Sequence, residues 1–393
     1  MISKLILSEI IDDQLDSIFK KIWIERDKQI PLRTKMIVMV SGVRRCGKST
    51  YIQQKLLKSG KALYLNFEDP RLINFTLDDF SKLEDIAKEA GKNLLLLDEV
   101  QNIDKWERYA RMANEKGIPL YITGSNASML SRELGTHLTG RYKQIELFPF
   151  SYNEFLTFYK LKRSRESFNQ YFELGGFPEF LEENDEDYLR TLLRDIITRD
   201  IAVRRKIANE NQLIRLAVHL LSNTGKAFSY NNLSKLLEIK SVRTVIDYCD
   251  YLRESYLIDF IPRYSTSIKK QIVNPKKSYA IDPAFAKANS LSFSKDLGRR
   301  LENFVYIKLR RDYSGIYYFT GGKSECDFLI KQNEQIIKVV QVCWEINNDN
   351  MVREVNGIKE AMTETGAPEG IIITNNQEDN LDGIDLIPAW KWM

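Results

Sequence analysis

Gly42-Val43-Arg44-Arg45-Cys46-Gly47-Lys48-Ser49 fits the pattern G-x-x-x-x-G-K-[ST] in full. Each part of that pattern has a physical task. The two glycines let the backbone turn tightly and approach phosphate oxygens. The loop N–H groups and the start of the next helix form a cradle for an anion. Lys48 sets a cation against β- and γ-phosphates, and Ser49 offers a hydroxyl to Mg²⁺. Gly42 through Ser49, with Thr50 behind them, are the expected nucleotide-binding residues. ATP or ADP is the expected ligand, with Mg²⁺ beside it.

Asp98 and Glu99 are the second chemical pair, closing the run Leu94-Leu95-Leu96-Leu97. An aspartate there can hold Mg²⁺ through water, together with Ser49, and a glutamate beside it can orient and deprotonate an attacking water. Ser125 and Asn126 form the polar tip of the strand-like Leu120–Asn126. Either residue suits the γ-phosphate or the attacking water, and either also suits a helix cap. Arg141, after Gly140, suits a finger on transition-state charge or an ordinary surface position.

Short apolar strands must carry these groups. Met36–Val40, Ala62–Asp69, Asn93–Glu99, Leu120–Asn126 and Lys143–Leu147 read as strands, the leucine run being buried on both faces. In open α/β sheets, ligands bind at the carboxyl ends of such strands. Thr50–Leu57, Leu77–Ala90 and Met129–Leu138 read as helices, and Pro70 ends the second strand. Residues 1–30 read as one helical segment with an apolar face through Ile18, Phe19, Ile22 and Trp23, bordering the nucleotide or packing on the sheet.

The 393 residues leave room for two or three domains. Apolar content of 43% and charged content of 28% suit a globular protein. A net charge of +4 permits nucleic-acid contact without arguing for it. Four scattered cysteines with no C-x-x-C pair and only two histidines point away from a disulfide framework and a zinc site. The N-terminus lacks an apolar run of signal or membrane length, so a cytoplasmic location without membrane contact is expected.

The phosphate-loop octet, Asn66-Phe67-Glu68-Asp69-Pro70-Arg71, Leu97-Asp98-Glu99-Val100-Gln101, Ile122-Thr123-Gly124-Ser125-Asn126, Gly140-Arg141 and Glu146–Phe155 occur in that order. Together they resemble a family of bacterial and archaeal AAA+-type ATPases with a winged-helix region and a C-terminal domain similar to the PD-(D/E)xK nuclease fold. The resemblance implies an α/β fold: a P-loop NTPase (AAA+-like) parallel-sheet domain over 1–155, a helical winged-helix region over 156–290, and a nuclease-like α/β domain over 291–393. It is specific in the first 155 residues and looser after them. Phe172–Glu179 matches the family's Gly-Gly-Phe-Pro turn.

Beyond the first domain the chemistry thins. Leu189–Arg204 is an arginine-bearing amphipathic helix, read as a solvated face or a phosphate contact. Helices over 229–237 and 241–252, then strands over 256–261 and 279–282, have the order of a winged helix. DNA reading through it would rest on Lys240, Arg243 and Arg253. In the last domain Glu302 and Asp327 stand where the resemblance implies metal-binding carboxylates. The acidic-x-Lys element is replaced by Gln341-Val342-Cys343, and Glu345 comes too late, so a non-cleaving domain is expected. Gly370–Thr374 reads as the final strand. The expected function is Mg²⁺-dependent ATP binding and hydrolysis. Glu99 favours it over a nucleotide-gated switch with little turnover, and an ATP-regulated DNA-binding protein or nuclease is the third class. A protein partner and self-assembly stay open.

Overall fold

Runs of β-branched and leucine side chains, each broken by a polar turn, make five short parallel strands in a computed structural model. It describes residues 1–18, 24–31, 34–57, 60–125, 140–291, 296–322 and 324–393, the Glu186 side chain excepted. The strands are β1 (Ile37–Ser41), β2 (Ala62–Asn66), β3 (Leu94–Asp98), β4 (Leu120–Gly124) and β5 (Tyr142–Glu146). Their order is β2-β3-β4-β1-β5, all parallel. β1, β3 and β4 are buried along their whole length, as strands covered on both faces must be.

Amphipathic helices supply part of that cover: α1 (Lys4–Ile18), α2 (Lys48–Leu56), α3 (Asp79–Glu89) and α4 (Trp106–Glu115). Phe80 stacks on Tyr109 and meets Phe67 and Phe75 edge-on, so these rings tie α3 and α4 to the end of β2. The N-terminal segment departs from the expected single helix. Among the described residues α1 covers Lys4–Ile18, and residues 24–31 are irregular. Polar contacts to the phosphate loop, given below, hold that irregular stretch. Phe19, Ile22, Trp23 and the helix expected over Met129–Leu138 lie outside the described residues. β2 ends at Asn66, before the expected stop at Pro70, which instead opens a 3₁₀ turn, Pro70–Leu72, capped by Asp69.

The chain divides into two compact units, Met1–Phe148 and Pro149–Met393. The second begins with α5 (Tyr152–Tyr159), α6 (Arg165–Leu174), α7 (Pro178–Glu183) and α8 (Glu186–Asp195). Ser151 and Glu154 close α5 with a reciprocal capping box. α8 runs on through π-helical turns, Ile196–Ala202, to Arg205. Next come α9 (Glu210–Ser222), α10 (Tyr230–Leu236) and α11 (Val242–Glu254). Strands β6 (Ala227–Phe228), β7 (Ile258–Pro262) and β8 (Lys276–Ala280) make an antiparallel sheet in the order β6-β8-β7. α12 (Ile268–Val273) lies between β7 and β8, and α13 (Pro283–Asn289) follows.

α14 (Leu297–Asp312), β9 (Gly315–Thr320), β10 (Glu325–Gln332), β11 (Gln335–Cys343), α15 (Met351–Thr365) and β12 (Gly370–Thr374) come next. β12 is not the last strand. β13 (Asp379–Leu381), β14 (Ile384–Pro388) and α16 (Ala389–Trp392) extend the sheet, ordered β13-β14-β12-β11-β10-β9. The turn at Asp382-Gly383 pairs β13 with β14, and β13 is too short and polar to register as a strand by pattern.

Candidate functional site

β1 delivers Gly42 at its carboxyl end, and Gly42 cannot carry a side chain there. A Cβ would sit 2.1 Å from the Leu147 carbonyl oxygen. Gly47 takes φ of 90°, and Arg45 takes φ of 66°, a left-handed backbone that non-glycine residues rarely adopt. These angles bend residues 42–47 into a loop that opens directly into α2. Val43 and Cys46 face inward, and the Cys46 thiol meets the Leu147 carbonyl, burial pushing its pKa up. Thr50 is half-buried in the first turn of α2.

The loop is braced from residues 24–31. Arg26 is buried and donates to the Cys46 carbonyl (3.0 Å) and the Phe148 carbonyl (2.5 Å). Tyr51 of α2 donates to the Lys28 carbonyl at 2.7 Å. The irregular segment that replaces the expected helix thus holds the cradle from outside.

Lys48 is buried, and its ammonium donates to the Gly42 and Val43 carbonyls, both at 3.1 Å. It stands 4.0 Å from Glu99 Oε1. Thr123 from β4 and Tyr64 from β2 donate to the Asp98 carboxylate, the latter at 2.7 Å, and Ser49 is near enough to oppose the rise of the Asp98 pKa. Burial, then the neighbouring Glu99, pushes the Asp98 pKa up. Thr123 also accepts the Glu99 backbone N–H at 3.0 Å. Glu99 has φ of 51°, which turns the chain sharply off β3, and Gln101 donates to its carboxylate. Arg44 donates through both terminal nitrogens to Glu68 Oε1, at 2.8 and 3.0 Å.

Lys48, Ser49, Asp98 and Glu99 are therefore gathered at one edge of the sheet. Ser125, buried at the end of β4, joins them, because β4 pairs with β1 up to Gly124 and Ser41. Asn126 lies outside the described residues. Arg141 stands apart from these groups. Its carbonyl accepts the N–H of Ile37, the first residue of β1, so it is exposed at the amino edge of the sheet. The phosphate loop starts at Gly42, five residues on at the other end of β1, about 16 Å away at roughly 3.3 Å per residue, beyond the span of an arginine side chain. Sequence reasoning missed Arg26, Tyr64, Glu68, Gln101 and Thr123 as supporting groups.

A second polar cluster lies in the Pro149–Met393 unit. Glu302 of α14 and Asp327 of β10 do come together, and Lys277 of β8 lies between them. Its ammonium is 3.0 Å from Asp327, 3.3 Å from Glu302 and 2.9 Å from Glu325. Burial pulls the Lys277 pKa down, but the three carboxylates outweigh it and hold it well above its ordinary value. Tyr279 donates to Glu302 at 2.6 Å. Gln341 accepts the Asp327 N–H (3.0 Å) and donates to Glu354 (2.6 Å), bridging two acidic residues. A lysine thus enters the cluster, but β8 supplies it and not the strand carrying Gln341.

The basic residues considered for DNA are largely paired. Arg243 faces Asp247, and Arg253 faces Asp250 and Asp259. Along α8 and its extension, Arg190, Arg199 and Arg204 pair with Asp187, Asp195 and Asp200, and Arg205 pairs with Glu254. Lys240 is exposed.

Among the described residues no helix is long and apolar enough to cross a membrane. Residues 34–156 match the model of an AAA domain family, and residues 165–296 match a domain of unknown function. An uncharacterized protein of Haemophilus influenzae is 29% identical, over 92% of this chain and 94% of its own. The uncharacterized protein MJ1544 of Methanocaldococcus jannaschii is 34% identical, over 99% of this chain and 95% of its own. At that identity and coverage, the chain belongs to the family of the Methanocaldococcus protein, and its N-terminal part is an AAA-type, P-loop domain.

Proposed function

We propose that the Met1–Phe148 unit binds MgATP and hydrolyses it. One observation carries this reading: Lys48, Ser49, Asp98 and Glu99 converge on one sheet edge, with Thr123 fastening Asp98 and the Glu99 backbone together. The loop N–H groups and Lys48 hold the phosphates. Ser49 and Asp98 are hard oxygen donors at the same end of the site, which suits Mg²⁺. Bound there, Mg²⁺ would neutralise charge developing on the phosphates. Glu99, oriented by Gln101, takes the proton of the attacking water, and Ser125, buried just after β4, is the candidate for a further hydroxyl.

The rival reading is a switch that binds nucleotide with little turnover. Glu99 speaks against it, since binding alone requires no carboxylate beside Lys48. Titration calorimetry and steady-state turnover separate the two. Lys48→Ala should abolish ATP binding. Glu99→Gln should keep ATP bound and lose turnover by about 10²-fold or more, the scale of a lost general base. Equal turnover in Glu99→Gln and the parent would refute the assignment. Asp98→Asn should weaken the Mg²⁺ dependence.

We read residues 156–290 as a winged-helix interaction module and 291–393 as a nuclease-like domain that does not cleave. The local pairing of Arg243 and Arg253 supports packing over DNA reading. Lys277 among the carboxylates supports the non-cleaving reading. Free Cys46, Cys249, Cys326 and Cys343 support a reducing, cytoplasmic setting.

A further inference from the structure

Arg44 lies within the phosphate loop, yet its guanidinium grips a carboxylate from another strand end. Both terminal nitrogens reach Glu68 Oε1, and Arg44 is mostly buried while Glu68 is about half exposed. Glu68 follows β2, whose Asn66 pairs with Asp98 in the sheet. The Phe67 N–H donates to the Asp98 carbonyl at 3.0 Å, so the turn bearing Glu68 is tied to the start of the Asp98-Glu99 corner. Burial, then Glu99, pushes the Glu68 pKa up, with Arg44 opposing and Asp98 adding to the rise. Glu68 therefore shares the electrostatic field of the end of the site where metal and attacking water belong.

Resting on the MgATP reading above, we propose that Glu68 and the terminal phosphate of a nucleoside triphosphate compete for Arg44. Arg44 then has two alternative anions within one site. A triphosphate that takes Arg44 from Glu68 gains a charge-assisted contact, but only after breaking one. A diphosphate has no terminal group to offer at that end, so it leaves the pair intact. Glu68 thereby lowers affinity for the triphosphate selectively and sets the preference between ATP and ADP.

The test is calorimetric titration of Mg²⁺ complexes of a non-hydrolysable ATP analogue and of ADP. Glu68→Gln should tighten the analogue about fivefold, the scale of a half-exposed ion pair that no longer has to be broken on binding. ADP should change by less than about twofold. Arg44→Met should weaken the analogue more than ADP. In the Arg44→Met background, Glu68→Gln should have no further effect, as a double-mutant cycle requires. Equal changes for both nucleotides, no change, or a Glu68→Gln effect that persists without Arg44 would overturn the proposal. Should Glu68→Gln fail to fold, Glu68→Asp, which shortens the reach, should act in the same direction. Lys48→Ala separates the two levels. If it abolishes binding of both nucleotides while Glu68→Gln is silent, the competition is wrong and the nucleotide site stands. If it leaves binding intact, the nucleotide reading itself falls.

Discussion

Glu99 and Arg45 hold left-handed backbone at a cost of about 1–2 kcal/mol each. Both flank the proposed chemistry, and such strain concentrates where geometry serves function. Gly42 makes a different demand, because the Leu147 carbonyl occupies the place of any Cβ. Gly42→Ala should destabilise the protein by about 1–3 kcal/mol, the scale of forced overpacking, and should weaken MgATP binding. Denaturant unfolding and calorimetry check the two effects together, and an alanine variant with parental affinity would contradict the close approach. Residues 42–49, Asp98 and Glu99 were legible in the sequence, because a loop motif encodes its own geometry in local spacing. Thr123 and Arg26 were not. Thr123 reads as a strand residue until β4 is seen beside β3, and Arg26 sits in a stretch whose apolar spacing imitates a helix.

Strands proved easier to place than their partners. Four leucines in succession can only be a covered strand or a buried helix, and the acidic pair after them settles which. What pattern could not supply was pairing: β8 carries Lys277 into carboxylates from α14 and β10, which lie 25 and 50 residues further along the chain. That junction has a pH signature. Burial, then Asp327, pushes the Glu302 pKa up to about 8, whereas in an unfolded chain it would release its proton near about 4.3. Between those values the folded protein binds more protons than the unfolded one. Stability is therefore fully present at the acid end, falls as pH rises through the window, and levels off above about 8. Glu302→Gln cannot ionise and should flatten that slope in melting temperatures measured across the same window. A variant as steep as the parent would place the dependence elsewhere.

Across the molecule, Arg141 and the phosphate loop occupy opposite edges of one sheet, so any contact of Arg141 with phosphate must involve a second copy of the chain. In a monomer, Arg141→Ala should keep both ATP binding and turnover. A loss of turnover with binding intact, recovered on mixing with Lys48→Ala, would instead identify a finger acting in trans. Purified protein should also leave DNA uncut with Mg²⁺ or Mn²⁺ in an endonuclease assay. Metal-dependent cutting lost in Asp327→Ala would overturn that expectation. The lysine among the carboxylates also shapes where this sequence can go. Removing Lys277 alone strands buried negative charge, which typically costs about 3–5 kcal/mol. Replacing Gln341 by glutamate alone adds a further negative charge beside Glu354 and Asp327 and takes away the amide that bridges them. Each single step toward a metal-loaded site is thus downhill in stability, and the two together leave still more buried negative charge until a divalent cation offsets it. Descendants of this chain are walled off from that chemistry by a mutational valley, and drift around the cluster should keep Lys277, Glu302 and Asp327 together or lose them together.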